Sequence, residues 1–265
     1  MIKFKSFSSG SCGNCYWLGI ENDGRIEEGI LIDAGVSLRR VRTCLQQDGL
    51  SLDDFSDILV THDHFDHIRS LGSYCKHLQR PVWTTATLHE ALSHHVMTYE
   101  YIPSCRHILR EDAWNDLCGG RIRVRCFTVP HDATQTVGFA ITLDGYRYVH
   151  ITDCGRMTEE ALGFCAQADT VVLESNYDPE MLEHGHYPPE LQARIRGGNG
   201  HMSNGECAAA ISSFAHKNLR NVFLCHLSEN NNTPELAYQA SRPSVPEGVR
   251  LQTLPRQTPS VLFNL

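Results

Sequence analysis

The sequence predicts an α+β protein: an αββα sandwich of two mixed β-sheets with helices on the outer faces, in one domain over 1–265. Three observations predict it. Short apolar runs alternate with helical stretches along the whole chain, which is the pattern of layered sheet and helix. A β-meander followed by further strands and helices occurs once in each half. No Pro/Gly/Ser-rich tract or charge run intervenes as a linker.

The elements follow in order. Strands are expected at about 2–8, 14–20 and 29–33, the last running into Ile30–Gly35. Ser37 is a suitable N-cap for a helix that stops at Gly49. Asp57–Thr61 reads as a buried strand entering a polar cluster. Helices near 67–79 and 86–97 flank a short strand over Pro81–Thr85. Arg121–Phe127 alternates with period two, so one face is wet and the other buried. Thr136–Leu143 and Tyr146–Ile151 flank Asp144-Gly145, a hairpin turn pair. Then come a helix from Thr158, a strand over Thr170–Glu174, helices to about 196, a helix over 203–217, and a strand over Asn221–Cys225. Ser203 with Glu206 three residues on forms a capping box. A last helix begins at Thr233-Pro234 with Pro at its first position, and one or two strands close the pattern.

Composition narrows the function classes. With 41% apolar and 20% charged residues in 265, the chain can bury a sizeable core and is neither disordered nor fibrous. No apolar run approaches the roughly 18 residues of a membrane span, and Met1–Ser6 leads straight into a strand pattern rather than a secretory leader. Eleven scattered Cys point to reduced thiols in a cytoplasmic setting. A net charge of −8 disfavours indiscriminate nucleic-acid binding but permits a local basic groove. Fifteen His is the unusual figure, because imidazole is the commonest metal ligand.

Those His are not evenly spread. Thr61-His62-Asp63-His64-Phe65-Asp66-His67 puts several ligand-type side chains on one turn, directly after an apolar strand. A loop at a strand end can aim them at one point, whereas a helix would spread them around its axis. Without a cation such a cluster gains little and repels on protonation. Each cation needs three or four protein ligands, so distant partners are required, and the cluster with them could serve two cations. His131, Asp153 and His226 each follow an apolar strand and qualify, although taken singly each also reads as an ordinary loop residue.

With Asp33, the cluster, His131, Asp153 and His226, the sequence resembles the metallo-β-lactamase-fold hydrolases. The resemblance implies that His62, His64 and His131 hold one divalent metal ion and Asp66, His67 and His226 a second, with Asp153 bridging. It implies that Asp33 orients the cluster from behind, although a carboxylate at a helix start is an equally ordinary reading. Phe7–Asn14, Leu173–Asn176, Gly200–Asn204 and His226–Glu235 look like the bacterial YycJ/WalJ/VicX group, over nearly the whole chain. Two positions depart from that group: Cys12, where a small hydroxyl residue is expected, and Tyr177, where His is frequent.

The group is similar to tRNase Z and RNase J type phosphodiesterases. That similarity implies that Glu174, at a strand end, orients His201, and that His201 serves as general acid or contacts the scissile phosphate; two cations would generate a hydroxide that Asp66 could orient. Glu174 and Ser203 also have a purely structural reading, as a strand end and a helix cap. Arg194 and Arg196, beside the flexible Gly197–Gly200 segment, are candidates for phosphate contact. The expected activity is therefore a two-metal phosphodiesterase, most specifically an exonuclease on DNA, with zinc or manganese as the metal and iron acceptable to the same ligands. No extra RNA-gripping domain fits in 265 residues, so substrate grip comes from the core or from a homo-oligomer. The alternatives are a glyoxalase II-like thioester hydrolase, which lacks its basic C-terminal segment here, and a metal-stabilised regulatory protein of cell-envelope signalling.

Overall fold

The computed structural model describes residues 1–265. A first sheet contains β1 (Ile2–Gly10), β2 (Gly13–Asn22), β3 (Arg25–Ile32), β4 (Asp57–Leu59), β5 (Val82–Thr84) and β6 (Arg106–Ile108). A second contains β7 (Asn115–Leu117), β8 (Ile122–Thr128), β9 (Val137–Leu143), β10 (Tyr146–Ile151), β11 (Thr170–Glu174), β12 (Asn221–Cys225) and β13 (Arg250–Thr253). The last strand, β14 (Phe263–Asn264), returns to pair with β1 and completes seven strands in each sheet. The orders are β14-β1-β2-β3-β4-β5-β6 and β13-β12-β11-β10-β9-β8-β7.

The two sheets repeat one plan. In the first, β14, β1, β2 and β3 pair antiparallel, and β3 to β6 pair parallel. In the second, β7 to β10 pair antiparallel, and β10 to β13 pair parallel. Antiparallel meanders need only tight turns, whereas each parallel step needs a crossover. The helices that do this cover the outer faces, which is why the central parallel strands β4, β11 and β12 are buried on both sides.

Strand alternation shows the layering directly. In β3, Ile30 and Ile32 face the space between the sheets with Phe4, Tyr16, Phe139, Val172 and Phe223, while Leu31 faces outward. In β12, Phe223 and Cys225 face inward and Val222 and Leu224 outward. Outside the first sheet lie α1 (Leu38–Gln47), α2 (Phe65–Ile68), α3 (Leu71–Leu78), α4 (Ala86–His94) and α5 (Ile102–Cys105). The second sheet is accompanied by α6 (Glu159–Cys165), α7 (Pro179–His184), α8 (Pro189–Arg196), α9 (Asn204–Phe214) and α10 (Pro234–Ser241). No helix is long and apolar enough to cross a membrane.

Several local expectations need correction. The helix expected over 67–79 is broken after Ile68, because the chain there makes tertiary bonds: the Ser70 amide donates to Ala34 O (3.0 Å) and Arg69 Nε to Gly35 O (2.5 Å). The helix expected to 97 stops at His94, where the Thr98 hydroxyl takes the Leu92 carbonyl (2.5 Å). The helix over 203–217 ends at Phe214, with the Ser203/Glu206 capping box present at its start. Two three-residue strands, β6 and β7, had no alternating signature, and β6 is exposed throughout.

Candidate metal centre

The parallel strands of both sheets end at one edge, and ligands of open α/β sheets collect beyond such carboxyl ends. Three strand ends stop with a non-glycine residue at positive φ: Asp33 after β3 (60°), Asp153 just after β10 (33°) and His226 after β12 (53°). That conformation costs an L-residue on the order of 1–3 kcal/mol. It abandons the pleat and turns each side chain back over the sheet edge. Asp33 and Asp153 hold equivalent places in the repeated plan, each following the last antiparallel strand of its sheet.

The cluster leaves β4 in an extended turn and enters α2, so His62 and His64 precede the helix and Asp66 and His67 ride on it. The structure gathers every histidine and carboxylate singled out from the sequence into one place. His62, His64 and His131 bring one ligand-type atom each within 4.8 Å of one another, and so do Asp66, His67 and His226. A third set, His62, His67 and Asp153, shares members with both trios. Asp153 Oδ2 is 2.9 Å from His67 Nε2, and its Oδ1 is 3.1 Å from His226 Nδ1 and 3.8 Å from His131 Nε2.

Whether these residues suit divalent cations can be tested on the far side of each imidazole. Protein groups hold one nitrogen of all five. His62 Nδ1 meets Thr61 Oγ1 (3.0 Å) and His64 Nε2 donates to Asp132 O (3.3 Å). His67 Nδ1 donates to Asp33 Oδ2 (2.7 Å), His131 Nδ1 to Gly200 O (2.7 Å), and His226 Nδ1 faces Glu174 Oε1 (3.1 Å). The other nitrogen of each is thereby aimed inward, as metal-binding histidines require. His62 Nε2 and His226 Nε2, one in each trio, are buried and make no hydrogen bond. A buried imidazole nitrogen left bare is costly, and a cation satisfies it. The donor set fits.

Electrostatics agree. Burial pushes the Asp153 and Asp66 carboxyls up, but neighbouring imidazoles outweigh it: His226 and His67 hold Asp153 well below the usual carboxylate range, and His67 and His226 do the same for Asp66. Burial, then the adjacent His67, pushes His62 well below its ordinary value, keeping it neutral. Burial lowers His226, yet Asp153, Asp66 and Glu174 more than reverse this and carry it up to about 10. Concentrated buried negative charge is thus a property of the site itself, balanced by protons where a cation would balance it better.

Asp33 is fully buried and accepts three bonds, from the Thr61 amide (2.9 Å), the Thr61 hydroxyl (2.8 Å) and His67. Glu174, at the end of β11, is also fully buried. Its Oε2 accepts the amides of Cys154 (2.9 Å) and Met202 (3.1 Å), and its Oε1 accepts His201 Nδ1 at 2.7 Å. Burial pushes the His201 imidazole down, but Glu174 and Asp153 push it further up.

His64 and His201 open onto a cavity of ≈ 220 Å³ lined also by Ser11, Asn176, Tyr187 and Arg194. Arg194 there is paired with Asp132 through its Nε. Arg196 is exposed and does not line the cavity. Sequence reasoning missed Asn14, whose Nδ2 lies 2.9 Å from Asp66 Oδ2 and 2.8 Å from His67 Nε2, and Asn176, which donates to His226 O (2.8 Å). The available signal was the run of small polar residues from Ser8 to Asn14 inside otherwise buried strands.

Comparison with known proteins accords with this geometry. Residues 29–226 match the family described as the beta-lactamase superfamily domain. The chain is 32% identical over 236 residues to a Bacillus anthracis protein named exodeoxyribonuclease YycJ, covering 89% of this chain and 86% of that one. It is 28% identical over 237 residues to the exodeoxyribonuclease WalJ of Streptococcus pneumoniae, with the same coverage. Among solved structures it is similar in fold to Zn(2+)-bound PqqB from Methylobacterium extorquens, with 19% identity, a TM-score of 0.71, and 99% and 100% of the two chains covered. The chain therefore belongs to the beta-lactamase superfamily, on the metallo-β-lactamase fold of metal-dependent hydrolases.

Proposed function

We propose that this protein is a two-metal phosphodiesterase that releases nucleotides from DNA ends, an exodeoxyribonuclease. The observation that carries the reading is the Glu174–His201 pair, fixed beside the two ligand trios at the mouth of the cavity. The thiolate of a thioester leaves readily without an acid, whereas the alkoxide of a phosphodiester is a poor leaving group, so an imidazole set beyond the ligands has a task. The names of the two relatives point the same way.

In this reading His62, His64 and His131 would hold one cation and Asp66, His67 and His226 the other, with Asp153 available to both. Bound there, the cations would supply acidified water and positive charge against the phosphate. The ligand chemistry, imidazole and carboxylate without thiolate, suits zinc or manganese and accepts iron. Asp66 orients the attacking oxygen. Glu174 cannot rotate, because two backbone amides hold its second oxygen, and it keeps His201 in one orientation with Nδ1 occupied. His201 Nε2 is then the atom that passes a proton to the departing oxygen as the P–O bond breaks. Arg194, on the cavity wall, meets the phosphate while paired to Asp132. We read the setting as cytoplasmic, consistent with eleven free cysteines, ten of them at least partly buried.

The test is nucleotide release from end-labelled single- and double-stranded DNA by zinc-loaded and manganese-loaded protein, with Asp66→Asn as the control for contaminating nuclease. Release that disappears in the variant supports the reading. No release from either loaded form overturns it.

A further inference from the structure

We infer that Asn14 is a positioning residue that sets the affinity of the Asp66/His67/His226 cation site, acting through a buried strut, Ser9–Tyr16–Asn14, that ties the two sheets together at that site. The inference rests on the two-cation reading above and adds residues to it.

Ser9 and Asn14 are paired across the β1–β2 hairpin, and Tyr16 lies two residues farther along β2. All three are fully buried. The strut begins in the other sheet, where the backbone amide of His226 donates to Ser9 Oγ at 2.9 Å. Ser9 Oγ and the Tyr16 hydroxyl are 2.8 Å apart, and Tyr16 donates to Asn14 Oδ1 at 3.1 Å. With Tyr16's proton committed to Asn14, the Ser9 proton goes to Tyr16. Asn14 Nδ2 has three acceptors at its far end for two hydrogens: His67 Nε2 (2.8 Å), Asp66 Oδ2 (2.9 Å) and Gly10 O (3.1 Å).

This fixes the direction of the bonds from the His226 amide as far as Asn14. Flipping the Asn14 amide would set Oδ1 against the Gly10 carbonyl and the Asp66 carboxylate, and Nδ2 against the Tyr16 donor. The orientation is therefore fixed. Bonds in series polarise one another, so the end that meets Asp66 is a firm donor to a carboxylate. One end of the strut thus grips a ligand on α2 and the other grips the backbone of His226 on the opposite sheet. The members of that trio come from both sheets and depend on such a tie for their spacing. The His62/His64/His131 trio makes none of these contacts.

The experiment is a divalent-cation titration of the full chain, using manganese monitored by its electron paramagnetic signal, with unfolding temperature measured alongside. Variants are Asn14→Leu, which keeps the volume without the hydrogen bonds, and the milder Tyr16→Phe, which deletes the donor to Asn14 and the acceptor of the Ser9 proton. Partners behind the ligands typically change metal affinity 10–100-fold. We expect Asn14→Leu to weaken one of two ions by that factor and leave the other unchanged, and Tyr16→Phe to weaken the same ion less. His64→Ala, in the other trio, should weaken the opposite ion. A merely structural role would lower the unfolding temperature and weaken both ions alike. That result, or unchanged affinities for two ions in both strut variants, overturns this inference and leaves the two-cation reading standing. A wild-type chain that binds only one ion overturns the two-cation reading and this inference with it.

Discussion

His131 donates its Nδ1 hydrogen to the carbonyl of Gly200, 2.7 Å away, and the next residue is His201. One candidate ligand trio and the loop that carries His201 are therefore set by a single backbone oxygen. Gly200 itself sits where a Cβ would collide with the carbonyl oxygens of Arg194 and Ile195 at the end of α8. Gly200→Ala must shift this carbonyl, and with it both His131 and His201. A misplacement of about 1 Å costs on the order of 100-fold in turnover. The expected outcome is a fall of about that size in kcat on DNA, with the far-ultraviolet circular dichroism retained.

His201 as general acid makes a prediction about leaving groups. His201→Ala should lose about 100–1,000-fold in kcat on DNA. It should lose little on bis(p-nitrophenyl) phosphate, whose phenolate departs without a proton. Equal losses on the two substrates would remove the acid role and leave His201 as a binding group. Glu174→Gln should follow the same pattern and also loosen the loop, because its one amide oxygen cannot accept both the Cys154 and Met202 amides and the His201 Nδ1 hydrogen.

Asp33 accepts three hydrogen bonds in a site without water access, two from Thr61 and one from His67. Asp33→Ala leaves three buried donors unpaired, at about 1 kcal/mol or more each. Urea unfolding should show a loss of about 3 kcal/mol or more in chelator-treated protein, and metal titration a 10–100-fold weaker site, since His67 is no longer held. Normal stability and normal metal affinity together would mean that Asp33 carries neither role.

The seven candidate ligands became legible through context. Each follows an apolar strand, and the common edge of the parallel strands does the rest, so Asp153 and His226 could be singled out although they lie far from the cluster in sequence. The repeat of the meander in both halves was legible for the same reason, as strand periodicity is local. What was not legible is what tertiary contact decides. The break after Ile68 comes from the Asp33–Gly35 turn bonding to Arg69 and Ser70, and no propensity in 67–79 announces it. Asn14 sits inside a strand, where its side chain reads as a misfit until Asp66 arrives from another element. Arg194 and Arg196 looked equivalent on paper, and helix geometry separates them by sending residues two apart to different faces.

His150, outside the ligand set but within reach of the His67 and Asp153 charges, offers a pH dependence. Burial, helped by the His67 charge, holds its imidazole at about 3, against an ordinary 6.5. Its Nδ1 accepts the Tyr148 hydroxyl (3.0 Å), and its Nε2 is buried without a partner. Between pH 3 and 6.5 the unfolded chain binds a proton here that the folded chain refuses. The stabilisation is thus complete above about pH 6.5 and is lost as pH falls toward 3, with a slope of up to about 1.4 kcal/mol per pH unit. Urea unfolding of chelator-treated protein from pH 7 to 5 should show a shallower fall for His150→Gln than for the wild type. Parallel curves would show that His150 does not titrate in this window.

The division of the site between the two sheets has a consequence for how the protein is made. His62, His64, Asp66 and His67 emerge from the ribosome early, whereas His131, Asp153 and finally His226 follow much later. At about 5–20 residues per second, the early cluster waits on the order of ten seconds for its last companion. During that interval it can hold a passing ion only as any loose histidine-rich peptide would. The identity of any ion retained there would therefore be decided after β12 closes against β11, by the geometry of the finished sandwich and by which cations are then at hand.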